Sequence, residues 1–174
     1  MMKMIKARNI LISPIKAVLS ELDDNTADYI LCSSEIDGIE DLGGSNVLGL
    51  EFLDTEMPDH FMRFTDIHAG KIRAFLTRPD ANEDLFVCCD SGESRSSAIA
   101  AAILLAAGQD DYCIWESTDY HPNGLVFREM CRSLGIEISE GMINERKTLN
   151  YNAIHKAIEN GQKIADFLIG GAEI

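Results

Sequence analysis

Leu85-Phe86-Val87-Cys88-Cys89-Asp90-Ser91-Gly92-Glu93-Ser94-Arg95-Ser96-Ser97-Ala98-Ile99-Ala100-Ala101-Ala102-Ile103-Leu104 is the stretch that decides the fold. Residues 85–88 are apolar throughout, as expected of a strand buried on both faces in the middle of a parallel sheet. Residues 97–107 are rich in Ala, Ile and Leu and read as a buried helix. Between them lies a short polar turn with Gly92 at its centre, where a positive φ or a close backbone approach needs glycine. Strand, tight turn and buried helix in that order are the repeating unit of an α/β fold.

Moving outward, short apolar runs alternate with helical patterns. Residues 9–12 read as a first strand. Ser13-Pro14 then caps a helix reaching about Leu22, with the proline at its first position. Residues 29–32 form a second, buried strand. A Gly- and Asp-rich loop follows over 37–45, then a third strand over 47–52 and a loop containing Pro58 over 54–59. Thr65 caps a helix over 66–77 whose inward stripe is Ile67, Ile72, Phe75 and Leu76. Two or three helices complete the chain, one over 123–134 and one over 150–169 with Ile154, Ile158, Ile164 and Leu168 among its apolar positions. The expectation is a single α/β domain over residues 1–174. It has a central, mostly parallel sheet of four to five strands flanked by helices, a core over about 9–134 and C-terminal helices over 135–174.

The turn from Cys89 to Ser96 has its own chemistry. Ligands of open α/β sheets bind at the carboxyl ends of strands. The first N–H groups of a helix, together with its dipole, make an anion site there. The planar fork of Arg95 suits two phosphate oxygens at once. A free thiol has a pKa of about 8.5, and a helix N-terminus or nearby cation lowers it. Cys89 as thiolate is then placed for in-line attack on phosphorus. Ser96 is placed to donate a hydrogen bond to that sulfur when it leaves. The side chains of Asp90 and Glu93 are expected to point away from a bound phosphate and to make the rim acidic.

The totals limit the partners. The 174 residues carry a formal net charge of −14, which argues against nucleic acid and against anionic membranes. Residues 1–6 lack the apolar stretch and cleavage site of a secretory leader, and no apolar run spans a bilayer. Five cysteines without a leader point to a cytoplasmic location and free thiols. Without Cys-x-x-Cys or His-x-x-x-His pairs, no metal site is expected.

Cys89, Gly92, Arg95 and Ser96 resemble the signature of the protein tyrosine phosphatase superfamily, His-Cys-x-x-Gly-x-x-Arg-Ser/Thr. The pattern is similar above all to the small bacterial, dual-specificity-like members. The resemblance implies a phosphatase with Cys89 as nucleophile, Arg95 as phosphoryl clamp and Ser96 assisting breakdown of the intermediate. It implies that the backbone amides of Asp90, Ser91, Gly92, Glu93, Ser94 and Arg95 hold the phosphate, with no cofactor. It also implies an aspartate general acid upstream, where Asp54 fits best and Asp59 is the second candidate. Tyr120-His121-Pro122-Asn123 and Leu125-Val126 resemble a helix start in the bacterial members. One position departs from the signature: Cys88 stands where the family has histidine.

The expected substrate is a phosphorylated protein or a small phosphate ester. Two other classes share the pattern: a module that binds phosphate without turnover, and a rhodanese-like thiol enzyme. His68 and His121 read as structural groups near helix starts, with ligand or acid roles as the alternative. Trp115, Tyr112 and Tyr120 are either packing residues or the wall of a pocket for an aromatic ring.

Overall fold

The computed structural model describes residues 8–20, 22, 25–42 and 44–170, with side chains to residue 161. Strands β1 (Asn9–Pro14), β2 (Ala27–Ser33), β3 (Val47–Glu51) and β4 (Asp84–Cys89) form one sheet in the order β1-β4-β2-β3, every pair parallel. The helices are α1 (Ile15–Val18), α2 (Asp66–Leu76), α3 (Arg95–Ala106), α4 (Tyr112–Trp115), α5 (Gly124–Ser133) and α6 (Glu140–Gly170). A 3-10 turn covers Ile39–Asp41. The expected α/β architecture is the observed one, with the apolar β4 inside the sheet between β1 and β2.

Strand alternation sorts the core into two layers. Leu85, Val87 and Cys89 of β4 face one side with Ile30, Cys32 and Leu50, and are covered by α2, α3 and α5. Cys88 faces the other side with Tyr29 and Leu31, where α1 and Ile39 pack. Phe86 joins that layer by stacking on Tyr29, ring centroids 5.2 Å apart. In α3 every residue from Arg95 to Ile103 is buried. Its run of alanines lets a helix sit close to the sheet on one side and to α5 on the other.

Several sequence expectations are corrected. The first helix stops at Val18, short of Leu22, and Pro14 is the last strand residue and the extended N-cap, with φ −63° and ψ 141°. In α2 the inward stripe is Ala69, Ile72 and Leu76, while Ile67 is 68% exposed. Two positions back from Ala69 is the opposite side of a 3.6-residue helix, so Ile67 cannot share its face. The last helix begins at Glu140, ten residues before the predicted start. The cause is polar inward positions: Ile143, Arg146 and Asn150 are buried along one face, and only one of them is apolar. Ile158 is 65% exposed, and the side chains of Ile164 and Leu168 lie outside the described residues.

Arg146 holds α6 to the body. Its Nε and Nη2 donate to Asp111 Oδ2 and Oδ1 at 2.7 and 2.9 Å, and Trp115 Nε1 donates to Asp111 Oδ2 at 2.9 Å. Trp115 is fully buried and therefore packs; it does not line an open pocket. Among the described residues no helix is long and apolar enough to cross a membrane. Removing one partner of a buried ion pair strands the other charge. Asp111→Ala is expected to cost about 3–5 kcal/mol, measured as a lower urea midpoint at an unchanged slope.

Candidate active site

All four strands end at the same edge of the sheet, and the β4–α3 loop occupies the middle of that edge. Gly92 shapes this loop. Its φ is +77°, and a Cβ there would lie 2.7 Å from Pro14 N and 2.8 Å from Ser13 C. Glycine is required twice over: by the left-handed backbone and by the end of β1 pressed against it.

The loop's carbonyls turn toward the protein. Cys89 O accepts from Gly92 N at 3.2 Å, Glu93 O from His121 N at 3.1 Å, and Ser94 O from Ala98 N at 3.1 Å and Asn123 N at 3.3 Å. Glu93 N donates to Ser91 Oγ at 3.3 Å. Among the described residues, the N–H groups of Ser91, Ser94 and Arg95 have no protein acceptor, and no side chain caps the start of α3. A helix end left uncapped among buried residues is a site for an anion.

Cys89 is buried, with Sγ 3.1 Å from Ser96 Oγ. Cys88 faces the opposite layer, and burial followed by the neighbouring Cys89 pushes its thiol up to about 12. It stays neutral and adds no charge beside Cys89. Cys32 is the register partner of Cys89 on β2, and burial, then Cys89, drives its pKa well up too. All five cysteines are free, and of these Cys113 alone is exposed.

Arg95 is 5% exposed. Nη1 donates to Phe52 O at 2.9 Å, and Nη2 donates to Asp90 Oδ2 at 2.5 Å. Nε is buried and, among the described residues, without a partner. Burial works against the guanidinium charge, but Asp90, Cys89 and Cys32 outweigh it and raise its pKa. The Asp90 side chain thus differs from expectation. It turns inward to pair with Arg95 and accept from Ser33 Oγ, because a buried guanidinium needs a counter-charge. The exposed carboxylate of the loop is Glu93.

Upstream, Asp54 Oδ1 accepts from Ser94 Oγ at 2.9 Å and from Asn123 Nδ2 at 2.7 Å. The other carboxylate oxygen takes neither bond. Asp59 is exposed on the same segment, and among the described residues no hydrogen bond or ion pair ties it to the loop. Of the two acid candidates, Asp54 is the one brought to the loop. Asn123 caps α5 by accepting from Leu125 N and Val126 N, each at 3.0 Å, and its amide nitrogen also reaches Thr55 O at 3.3 Å. Sequence reading placed the helix start here but missed the contact with Asp54. Ser33, Glu56 and Lys147 carried no signal at all.

His68 is structural: Nδ1 accepts from Thr65 N at 3.0 Å in a capping box, and the ring packs on Phe52 and Phe64. Burial, then Lys71, lowers its pKa. His121 meets the loop through its backbone N–H.

No family model, curated protein or solved structure matches the chain. Gly92→Ala is expected to cost about 1–3 kcal/mol and to weaken binding of vanadate, read by denaturant midpoint and by titration. A variant with both values unchanged would contradict the role given to Gly92.

Proposed function

We propose that the chain is a cysteine-dependent phosphatase that hydrolyses phosphotyrosine or another phosphomonoester. One observation carries the reading. Cys89 Sγ and Ser96 Oγ lie 3.1 Å apart, at the base of a loop whose Ser91, Ser94 and Arg95 amides lack acceptors among the described residues. A phosphoryl group seated in that loop would supply acceptors for these N–H donors, and donors placed where negative charge develops act most strongly. The Arg95 Nε–H adds a buried donor that a phosphate oxygen would satisfy.

The reaction has two steps. The Cys89 thiolate attacks phosphorus, the S–P bond forms and the P–O ester bond breaks. The electron pair stays on the leaving oxygen, which takes a proton from Asp54. Water then attacks phosphorus and gives a proton to Asp54. The S–P bond breaks, inorganic phosphate leaves, and sulfur departs as thiolate with the Ser96 hydroxyl donating to it. Asp54 serves as acid, then base, from a position fixed by Ser94 and Asn123.

The resemblance of residues 89–96 to the protein tyrosine phosphatase signature supports the same reading. A phosphate-binding module without turnover is the second reading, favoured by the Arg95–Asp90 pair that already occupies part of the guanidinium. We expect the site to work in a cytoplasmic, reducing setting, since Cys89 must stay reduced to act.

Cys89→Ser should abolish turnover of an aryl phosphate while vanadate or phosphate still binds. Asp54→Asn should lower kcat about 10²–10⁴-fold on an ester with a poor leaving group. Unchanged turnover in Cys89→Ser removes the phosphatase reading; vanadate binding by a wild-type chain that releases no phosphate from any ester favours the module.

A further inference from the structure

The loop that carries Asp54 is fastened by a residue of the C-terminal helix. Its base is closed by Leu53 N donating to Met62 O at 2.9 Å. Two residues beyond Asp54, the Glu56 carboxylate is held on both oxygens. Oε1 accepts from Gly124 N, the first residue of α5, at 2.6 Å, and Oε2 pairs with Lys147 Nζ of α6. The Lys147 stem lies directly over the start of α5: a Cβ on Gly124 would sit 2.7 Å from Lys147 Cε and 3.3 Å from Glu56 Oε1. Burial opposes the charge on Glu56, but Lys147 and the Gly124 N–H outweigh it and hold the carboxyl below its ordinary value.

These contacts have a direction. Asn123 and Gly124 are adjacent. Asn123 holds Asp54 and Thr55 O, while Gly124 holds Glu56, so three consecutive residues of the acid loop are pinned to one helix start. That helix start is also tied to the phosphate loop through Asn123 N and Ser94 O. Lys147 is the cation paired with Glu56, and it comes from an element also anchored through Arg146, its chain neighbour, to Asp111. The buried pair next door fixes the backbone from which Lys147 reaches.

We propose that Glu56 and Lys147 are positioning residues that hold the Asp54 carboxyl over the phosphate loop, so that α6 sets the efficiency of proton transfer to the leaving group. The inference rests on the phosphatase reading. Neither side chain touches the reacting atoms. The ion pair is half exposed, at 38% and 46%, and such pairs add little to stability. Its worth lies in geometry: a small misplacement of a catalytic group costs far more in rate than the contact is worth in folding.

Leaving groups separate this role from a merely structural one. An activated phenolate departs without help, whereas an alkoxide must be protonated as it leaves. Glu56→Ala and Lys147→Met are each expected to lower kcat/KM, which reports transfer to the sulfur alone, about ten- to a hundredfold on an alkyl phosphate and to leave kcat/KM on 4-nitrophenyl phosphate close to wild type. Vanadate affinity and melting temperature should stay near the wild-type values, and Lys147→Arg should restore most of the alkyl activity. Equal losses on both esters, or no loss on the alkyl ester, would overturn the inference. A wild-type chain that hydrolyses neither ester while still binding vanadate would remove the phosphatase reading itself, and the inference with it.

Discussion

Arg95 is a positive charge taken out of water at the first turn of a buried helix, and the carboxyl edge of the sheet is arranged around it. Its guanidinium donates to Asp90, directly after β4, and to the carbonyl of Phe52, directly after β3. Asp90 in turn accepts from Ser33, the last residue of β2. One side chain thereby joins the ends of three parallel strands. Losing either partner would leave an uncompensated charge in the interior, a cost of several kcal/mol. The pairing also gives the loop its shape. With the Asp90 carboxylate drawn inward and the carbonyls of Cys89, Glu93 and Ser94 bonded to the protein, the N–H groups of Ser91, Ser94 and Arg95 are left without an acceptor among the described residues.

The same arrangement governs the sulfur. Strand alternation puts Cys88 and Cys89 in different layers, and Cys88 stays a neutral, buried thiol. What the histidine of the resembling signature would supply from that position is absent. The surroundings of Cys89 are therefore the Ser96 hydroxyl, the start of α3 and the Arg95 charge. The net charge of −14 makes this donor-rich spot stand out from the rest of the chain, and charged surroundings of this sign disfavour polyanions elsewhere on the surface.

Much of this was legible in the sequence, and the reasons are particular. The run from Leu85 to Cys88 could only be a central strand, and the alanine-rich segment after Arg95 could only be a buried helix, because each pattern lacks a solvent face. Gly92 between them told of a strained turn, and the turn of an anion site. Legibility failed where polar residues do the packing. Arg146 and Asn150 hid the first third of α6, since a buried ion pair and a buried amide break apolar periodicity. The inward turn of Asp90 is not legible either, since the burial of Arg95 that demands a counter-charge follows from tertiary packing. The clamp of Glu56 by Lys147 joins residues 91 positions apart, and no local pattern encodes so distant a pair.

The central claim is that phosphoryl transfer passes through the Cys89 sulfur, and a rapid-quench experiment with mass spectrometry of the digested chain tests it. Acid quenching during turnover of an aryl phosphate should trap a phosphoryl group on the peptide that carries Cys89, at a level that rises in Asp54→Asn as breakdown of the intermediate slows. Release of inorganic phosphate with no adduct on that peptide in either protein, or an adduct on any other residue, would contradict the account.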